Sequence, residues 1–414
     1  MSRHSPPWYS LRSLGLAASI AFVLALALVG TEPAYPQTLT VLHTFLGGPG
    51  DGGNPYGGLT RDKAGNLYGT TEDYGTGLFC PTGCGIAFKV DAQAQETVLH
   101  NFAGGGKDGA FPYYGDLLAS TTGNLYGTTY QGGAFGAGTV YEINEAGGER
   151  VLHNFRGGAD GGFPWGGLIH DATGNLYGTT STRGLGKACA YGCGTVFELD
   201  RAGKLTLLHT FAGGADGEYP LSRLVRDAAG NLYGTTEQGG GNGCGGAGCG
   251  TVFKIDSSGK ESVLHAFAGP PDGQFPVGAL ILDKVGNLYG TTLQGGFYGN
   301  GGTVFKVDPS GEETVLYSFN LSTGDAALPY GGLVLDAAGN LYGATSSGGA
   351  AFGGAIFEVN TSGIETVLYS FTGGADGYLP YSDLIRDTAG NIYGTTSEGG
   401  DAFCFCGTVF ELTP

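Results

Sequence analysis

Beyond residue 37 the apolar residues come in short runs, alternating with polar ones or filling consecutive places, and turn residues close each run. Such runs predict β-strands. One stretch shows the unit clearly. Gly166–Asp171 (GGLIHD) is a first strand, and the turn Ala172–Gly174 leads into Asn175–Thr180, the second. A glycine-rich loop precedes Gly194–Asp200 (GTVFELD), and the turn Arg201–Lys204 precedes Leu205–Phe211 (LTLLHTF). Val, Ile, Leu, Phe and Tyr fill these runs, the residues that suit a pleated surface. Turns of the D-x-x-G-N and D-x-x-G kind join neighbouring strands as antiparallel hairpins. The unit is therefore a four-stranded antiparallel meander.

The meander recurs. GNLYGTT or a near copy starts at Gly65, Gly123, Gly174, Gly230, Gly286, Gly339 (GNLYGAT) and Gly390 (GNIYGTT), at intervals of 51 to 58 residues. A unit this short cannot bury a core alone, so neighbours must stack. Seven such meanders predict an all-β, seven-bladed β-propeller, with four antiparallel strands per blade. The ends specify how the ring closes. Fourth-strand segments recur at Val41–Phe45, Val98–Phe102, Val151–Phe155, Leu207–Phe211, Val263–Phe267, Val315–Phe319 and Val367–Phe371, and the first precedes every other strand. The last unit stops at its third strand, Gly407–Leu412. The N-terminal strand is therefore expected to complete the seventh blade, hiding edges that an open array would expose. A β-solenoid is the alternative, but its coils would not need paired hairpin turns.

The G-N-L-Y-G-T-T, G-T-V-F-E-L and T-V-L-H-x-F segments resemble the GloVer tandem-repeat family of exported bacterial proteins, and their order is similar to the NHL-type propeller repeat. The resemblance covers about residues 38–414. It implies a propeller fold and export, and no known activity. Its members are described as carrying one of several C-terminal anchors, and none follows the last strand here; an exported protein, extracellular, periplasmic or at the cell surface, is expected.

Residues 1–37 differ from the rest. Arg3, His4 and Arg12 precede a mostly apolar stretch, Leu14–Val29, short for a membrane span but suited to a secretory signal. Residues 1–37 are read as signal peptide and short linker, with cleavage within Gly30–Gln37 although no clean A-x-A marks it. An uncleaved N-terminal anchor is the other reading. An exported monomer without a membrane span in the mature chain is expected. Only 14% of residues are charged and the net charge is -18, which argues against nucleic acid and anionic membranes as partners.

Candidate chemistry is sparse, and no cofactor is expected. His43, His100, His153, His209 and His265 share one fourth-strand position, which is Tyr317 and Tyr369 elsewhere. One residue per blade is too widely spaced to share an ion, so no metal is expected; a flat ring with a polar tip, hydrogen-bonding between blades, is the shared property. Asp51, Asp108, Asp160, Asp216, Asp272, Asp325 and Asp376 recur in the loops that cross between blades. A single carboxylate falls short of a Ca²⁺ site, so a local Asx turn is expected, as for the hairpin aspartates such as Asp171.

The eight cysteines lie only in loops between second and third strands: Cys80/Cys84, Cys189/Cys193, Cys244/Cys249 and Cys404/Cys406. An even count in an exported chain predicts local disulfides that stiffen glycine-rich loops. Because units three and four, and seven and one, are neighbours, cross-loop bridges or a tetrathiolate site are the alternative.

Departures from the repeat mark the candidate site. Tyr56, Tyr113, Trp165, Tyr330 and Tyr381 follow the loop proline and enter the channel-lining strand, where units four and five have Leu221 and Val277. Just before the recurring leucine, Asp116, Arg223 and Asp383 replace small residues. Tyr74, Phe79, Tyr130, Phe135, Tyr191, Phe297, Tyr298, Phe352, Phe403 and Phe405 lie in loops on the same face. Flat aromatics at a propeller mouth suit a carbohydrate or an extracellular protein partner, so a non-catalytic binding or scaffold role is expected. A propeller-type lyase or glycosidase using Asp116, Arg223 and Asp383 is the alternative, and needs its carboxylates within roughly ten ångströms. A purely structural envelope or matrix protein, with the tyrosines plugging gaps, is the third.

Overall fold

The structure is a computed structural model that describes residues 37–186, 188–322 and 324–414. The signal segment expected at residues 1–37 lies outside the described residues except for Gln37.

Seven antiparallel sheets carry the repeat, each with four blade strands, and in blade 6 the loop segment Ala326–Pro329 adds a fifth; the blade order follows the sequence. In blade 3 the strands are Ile169–His170, Leu176–Thr180, Thr195–Leu199 and Leu205–Thr210, paired in that order. The ring closes as its ends require. Thr38–Thr44 pairs antiparallel with Thr408–Thr413, from Thr38 opposite Thr413 to Thr44 opposite Thr408, and supplies the fourth strand of blade 7.

The innermost strands are shorter than expected. Only Ile169–His170 of the expected Gly166–Asp171 pairs in the sheet. The residues before it run where neighbouring backbones crowd the channel. A Cβ on Gly166 would sit 2.7 Å from the Ser222 carbonyl carbon, and one on Gly278 2.6 Å from the Gly331 oxygen. Extra ladders form in the loops instead, as between Gly52–Gly53 and Asp73–Tyr74.

Each core cluster straddles two blades. Phe211 of blade 3 lies edge-on to Phe253 of blade 4, centroids 5.1 Å apart, and both are fully buried. Phe45 and Phe88 repeat the contact across the closure, also at 5.1 Å. A one-residue bulge between Val196 and Phe197 and their fourth-strand partners leaves Leu208 unpaired; Leu208 packs on the core beside it. The bulge recurs in all seven blades, closure included.

The repeat motif now has a physical reading. Asp171 Oδ1 accepts the Thr173 and Asn175 backbone N–H groups, while Oδ2 accepts Asn175 Nδ2 and the Tyr177 hydroxyl. Burial pushes the Asp171 carboxyl up, but these bonds outweigh it and bring it down to about 2. The expected Asx turn is present, and it anchors the motif tyrosine as well. The second glycine of GNLYGTT lies beneath an aromatic ring: a Cβ on Gly178 would meet Phe197 Cζ at 2.8 Å and Leu168 Cδ2 at 2.9 Å. A Gly178→Ala variant is expected to lose about 1–3 kcal/mol by overpacking. A urea midpoint equal to that of the unaltered chain would show that Phe197 can move aside.

All four local disulfides form, so the described cysteines are not available as a tetrathiolate site. Their reach is longer than the loops they close. Cys84, Cys193, Cys249 and Cys406 are fully buried in clusters between blades, tying each loop to the core.

Candidate functional site

Strand order places the loops between second and third strands, and those crossing between blades, on one face. There the structure brings together all five expected mouth aromatics and adds a sixth, Tyr114. It stacks on Trp165 (centroids 5.1 Å apart, planes 13° apart) and on Tyr330 (5.2 Å, 21°). Tyr56 and Tyr381 lie 5.2 and 6.4 Å from the same ring. Tyr113 stacks on Tyr56 at 5.0 Å and meets Trp165 edge-on at 4.7 Å. Tyr114 thus fills the channel mouth. Its signal was present: unit two reads Pro112-Tyr-Tyr-Gly-Asp-Leu117, one residue longer from proline to leucine than the other units. The insertion pushes one ring to the centre.

Beneath this layer Asp116, Arg223 and Asp383 meet, from blades 2, 4 and 7. Arg223 Nε lies 3.5 Å from Asp116 Oδ2, and Nη2 lies 3.5 Å from Asp383 Oδ2. The other carboxylate oxygens accept backbone N–H groups, Gly58 to Asp116 Oδ1 at 2.6 Å and Gly332 to Asp383 Oδ1 at 2.5 Å. Small residues at the equivalent positions make room, since a Cβ on Gly58 would sit 2.7 Å from Asp116 Oδ1. Burial, then Asp383, raises the Asp116 carboxyl against the opposing pull of Arg223. Burial alone would lower the Arg223 guanidinium, but Asp116 and Asp383 raise it.

The cluster divides the channel. Between it and the aromatic layer only about 30 Å³ remains, room for about one water. On the hairpin face a cavity of about 530 Å³, walled by Leu59, Leu117, Leu118, Leu168, Leu384 and Ile385, reaches the same three charges. A further pocket of about 340 Å³ opens beside the aromatic layer, lined by Glu72, Phe111, Tyr113, Tyr130, Gln131 and Trp165. Burial, then Asp73, pushes Glu72 up to about 7.

The loop aromatics do not converge on the mouth as expected. Tyr130 joins the layer, 5.4 Å from Trp165. Tyr74 packs instead on the core between blades 7 and 1. Phe79, Phe135, Tyr191, Phe297, Tyr298, Phe352, Phe403 and Phe405 are exposed. Their loops fold back over the fourth strands: Thr76 N–H donates to Asn101, Ala134 to Asn154 and Phe297 to Ser318. This crown is therefore set at the periphery.

The fourth-strand histidines also differ from expectation. His43 Nε2 lies 3.3 Å from Asp51 Oδ1 in the loop that follows its own strand, and Tyr317 and Tyr369 donate to Asp325 and Asp376 at 3.0 Å. The ring bonds within its own unit, not directly between blades. In place of the expected Asx turn, the crossing-loop aspartate reaches backwards: Asp51 Oδ2 accepts Leu46 N–H five residues back, and Oδ1 accepts the adjacent Gly52 N–H.

Among solved structures, two of an extracellular domain from B. thetaiotaomicron, described in one as that of a putative hybrid two-component system and in the other as that of a putative one-component system, are similar in fold. Their TM-scores are 0.55 and 0.56, at 12% identity, over 89% of this chain and 40% of those chains. This chain thus spans about two fifths of their length. No curated protein matches the sequence. The model of the Gloeobacter/Verrucomicrobia repeat matches residues 31–247 and 189–410, which together run through every blade. The chain belongs to the Gloeobacter/Verrucomicrobia repeat family, folded as a closed seven-bladed propeller.

Proposed function

We propose that this is an exported, non-catalytic binding propeller that takes a carbohydrate on the aromatic layer of its loop face. The observation that carries this reading is the layer itself. Tyr56, Tyr113, Tyr114, Trp165, Tyr330 and Tyr381 are in mutual contact and partly exposed, beside a pocket that adds Glu72 and Gln131. Stacked rings match the apolar C–H faces of a sugar, and a carboxyl with an amide serves its hydroxyls. Export is supported by four disulfides, which persist in oxidising compartments.

The first test is a glycan array with the oxidised chain and its Trp165→Ala variant. A glycan retained by the unaltered chain and lost by the variant, by about tenfold or more, is expected. A blank array removes the carbohydrate reading and leaves a protein partner for pull-down. A glycan bound equally by both proteins moves the site elsewhere.

One observation favours the enzymatic alternative. Asp116 and Asp383 each lie 3.5 Å from one guanidinium, which keeps them within the roughly ten ångströms of paired-carboxylate chemistry, and the cavity on the hairpin face reaches them. Against it, both carboxylates are already engaged by Arg223 and by backbone N–H groups. Glycan turnover that disappears in Asp383→Asn would establish the alternative.

A further inference from the structure

The sequence offers the fourth-strand histidines as a ring too wide to share one ion. The structure gives three of them separate partners. At the junction of blades 1 and 2, His100, Asp108 and Glu149 present one ligand atom each, all within 4.8 Å of one another. His209, Asp216 and Glu261 repeat this between blades 3 and 4, and His265, Asp272 and Glu313 between blades 4 and 5. In each set the histidine and aspartate come from one unit and the glutamate from the next blade's fourth strand.

One feature points to a ligand, and a second is compatible with it. One oxygen of each glutamate, Oε1 of Glu149, Glu261 and Glu313, is sealed from solvent without a hydrogen-bond partner, as is Oε1 of Glu96 and Glu365 at two other junctions. An unpaired buried acceptor is costly to keep unless something meets it. The histidine and aspartate of each set are already hydrogen-bonded, at a spacing that an ion could take over. Nε2 lies 3.3 Å from Asp108 Oδ2, 3.1 Å from Asp216 Oδ1 and 3.2 Å from Asp272 Oδ2. A tetrahedral ion with ligands about 2.0–2.2 Å away separates two of them by roughly 3.3–3.5 Å. Backbone bonds already orient the carboxylates: Asp108 Oδ1 accepts Gly109 N–H at 2.7 Å and Asp272 Oδ1 accepts Gly273 N–H at 2.6 Å.

We propose that these three junctions each bind one zinc-like divalent cation through a histidine nitrogen, an aspartate oxygen and a glutamate oxygen, bridging adjacent blades. A small closure of the glutamate completes three protein ligands and leaves a fourth position for water. One neutral imidazole and two carboxylates balance the charge of a divalent ion, and such mixed N/O donor sets suit zinc. The chain carries its own blanks. Leu205 stands where blade 3 would supply the glutamate beside His153 and Asp160, and Tyr317 replaces the histidine before blade 6.

The test uses the full chain stripped with a chelator and then titrated with zinc by calorimetry, and with cobalt by visible absorption. Three ions per chain are expected, together with the intense cobalt bands of a tetrahedral site and a higher thermal midpoint with zinc. Substituting His100→Tyr, His209→Tyr and His265→Tyr together borrows the residue the fold already accepts at Tyr317 and Tyr369, and should abolish uptake without unfolding the chain. Glu149→Gln alone should lower the count to two. No uptake by the folded chain, or uptake unchanged in the triple variant, overturns the proposal. Because the sites lie on the rim, glycan retention through Trp165 succeeds or fails independently.

Discussion

Arg223→Met is expected to cost about 3 kcal/mol at pH 8 and distinctly less at pH 5. Breaking a buried ion pair by removing one partner costs roughly 3–5 kcal/mol, because the other charge stays buried and uncompensated. Here two carboxylates are left facing each other. The low end of the range applies, since the Arg223 side chain is 33% exposed to the channel. The pH dependence has a definite sign. Burial and Asp383 raise the Asp116 carboxyl above its ordinary 3.8 even with Arg223 present, and losing the cation raises it further. The folded chain then holds a proton that the unfolded chain has released. Stability falls as pH rises from the unfolded value through the folded one, and the penalty shrinks on acidification. Urea midpoints at the two pH values decide the matter. Equal penalties at both would mean that the three charges do not form one electrostatic unit.

The second large effect concerns closure. A chain lacking Thr38–Thr44 is expected to lose its discrete monomeric fold. The deletion leaves Thr408–Thr413 as an open edge and removes Leu39 and Leu42 from the cores on either side of blade 7. Those two side chains contribute roughly 2–5 kcal/mol together, against total stabilities of about 5–15 kcal/mol for a domain. The open edge also invites pairing with a second chain. Size-exclusion chromatography should show higher-order species or loss of soluble protein, and a synthetic peptide of residues 37–46 should restore the monomer. A truncated monomer with an unaltered thermal midpoint would show that the closing strand is dispensable.

What could be read from the sequence was whatever the repeat states locally. Hairpin turns such as Asp171–Asn175, the order of strands and the N-terminal closure are all set by spacing along the chain. Local spacing also paired Cys80 with Cys84 and its counterparts. Asp116, Arg223 and Asp383 stood out because each breaks the repeat at one position, and topology brings that position to the channel. The structure was needed wherever one unit meets another. The crowding that shortens the first strands depends on how Gly166 approaches Ser222, a contact between blades. The peripheral crown likewise depends on where Asn101 and Asn154 tether their loops. Glu149 meets His100 and Asp108 only because blade 1 packs against its strand, a juxtaposition that no local spacing states. Tyr114 is the exception: its inserted residue was visible, but not the direction in which the extra ring would turn.

Every apolar cluster in this ring joins one blade to the next, from Phe45 with Phe88 round to Phe371 with Phe410. In an open repeat array the terminal units have one neighbour and fray first, so protection against hydrogen exchange declines towards the ends. Here no unit is terminal, and releasing any blade opens two interfaces at once. Amides in the second and third strands of all seven blades should therefore exchange at closely similar rates and be lost together, as in one cooperative unit.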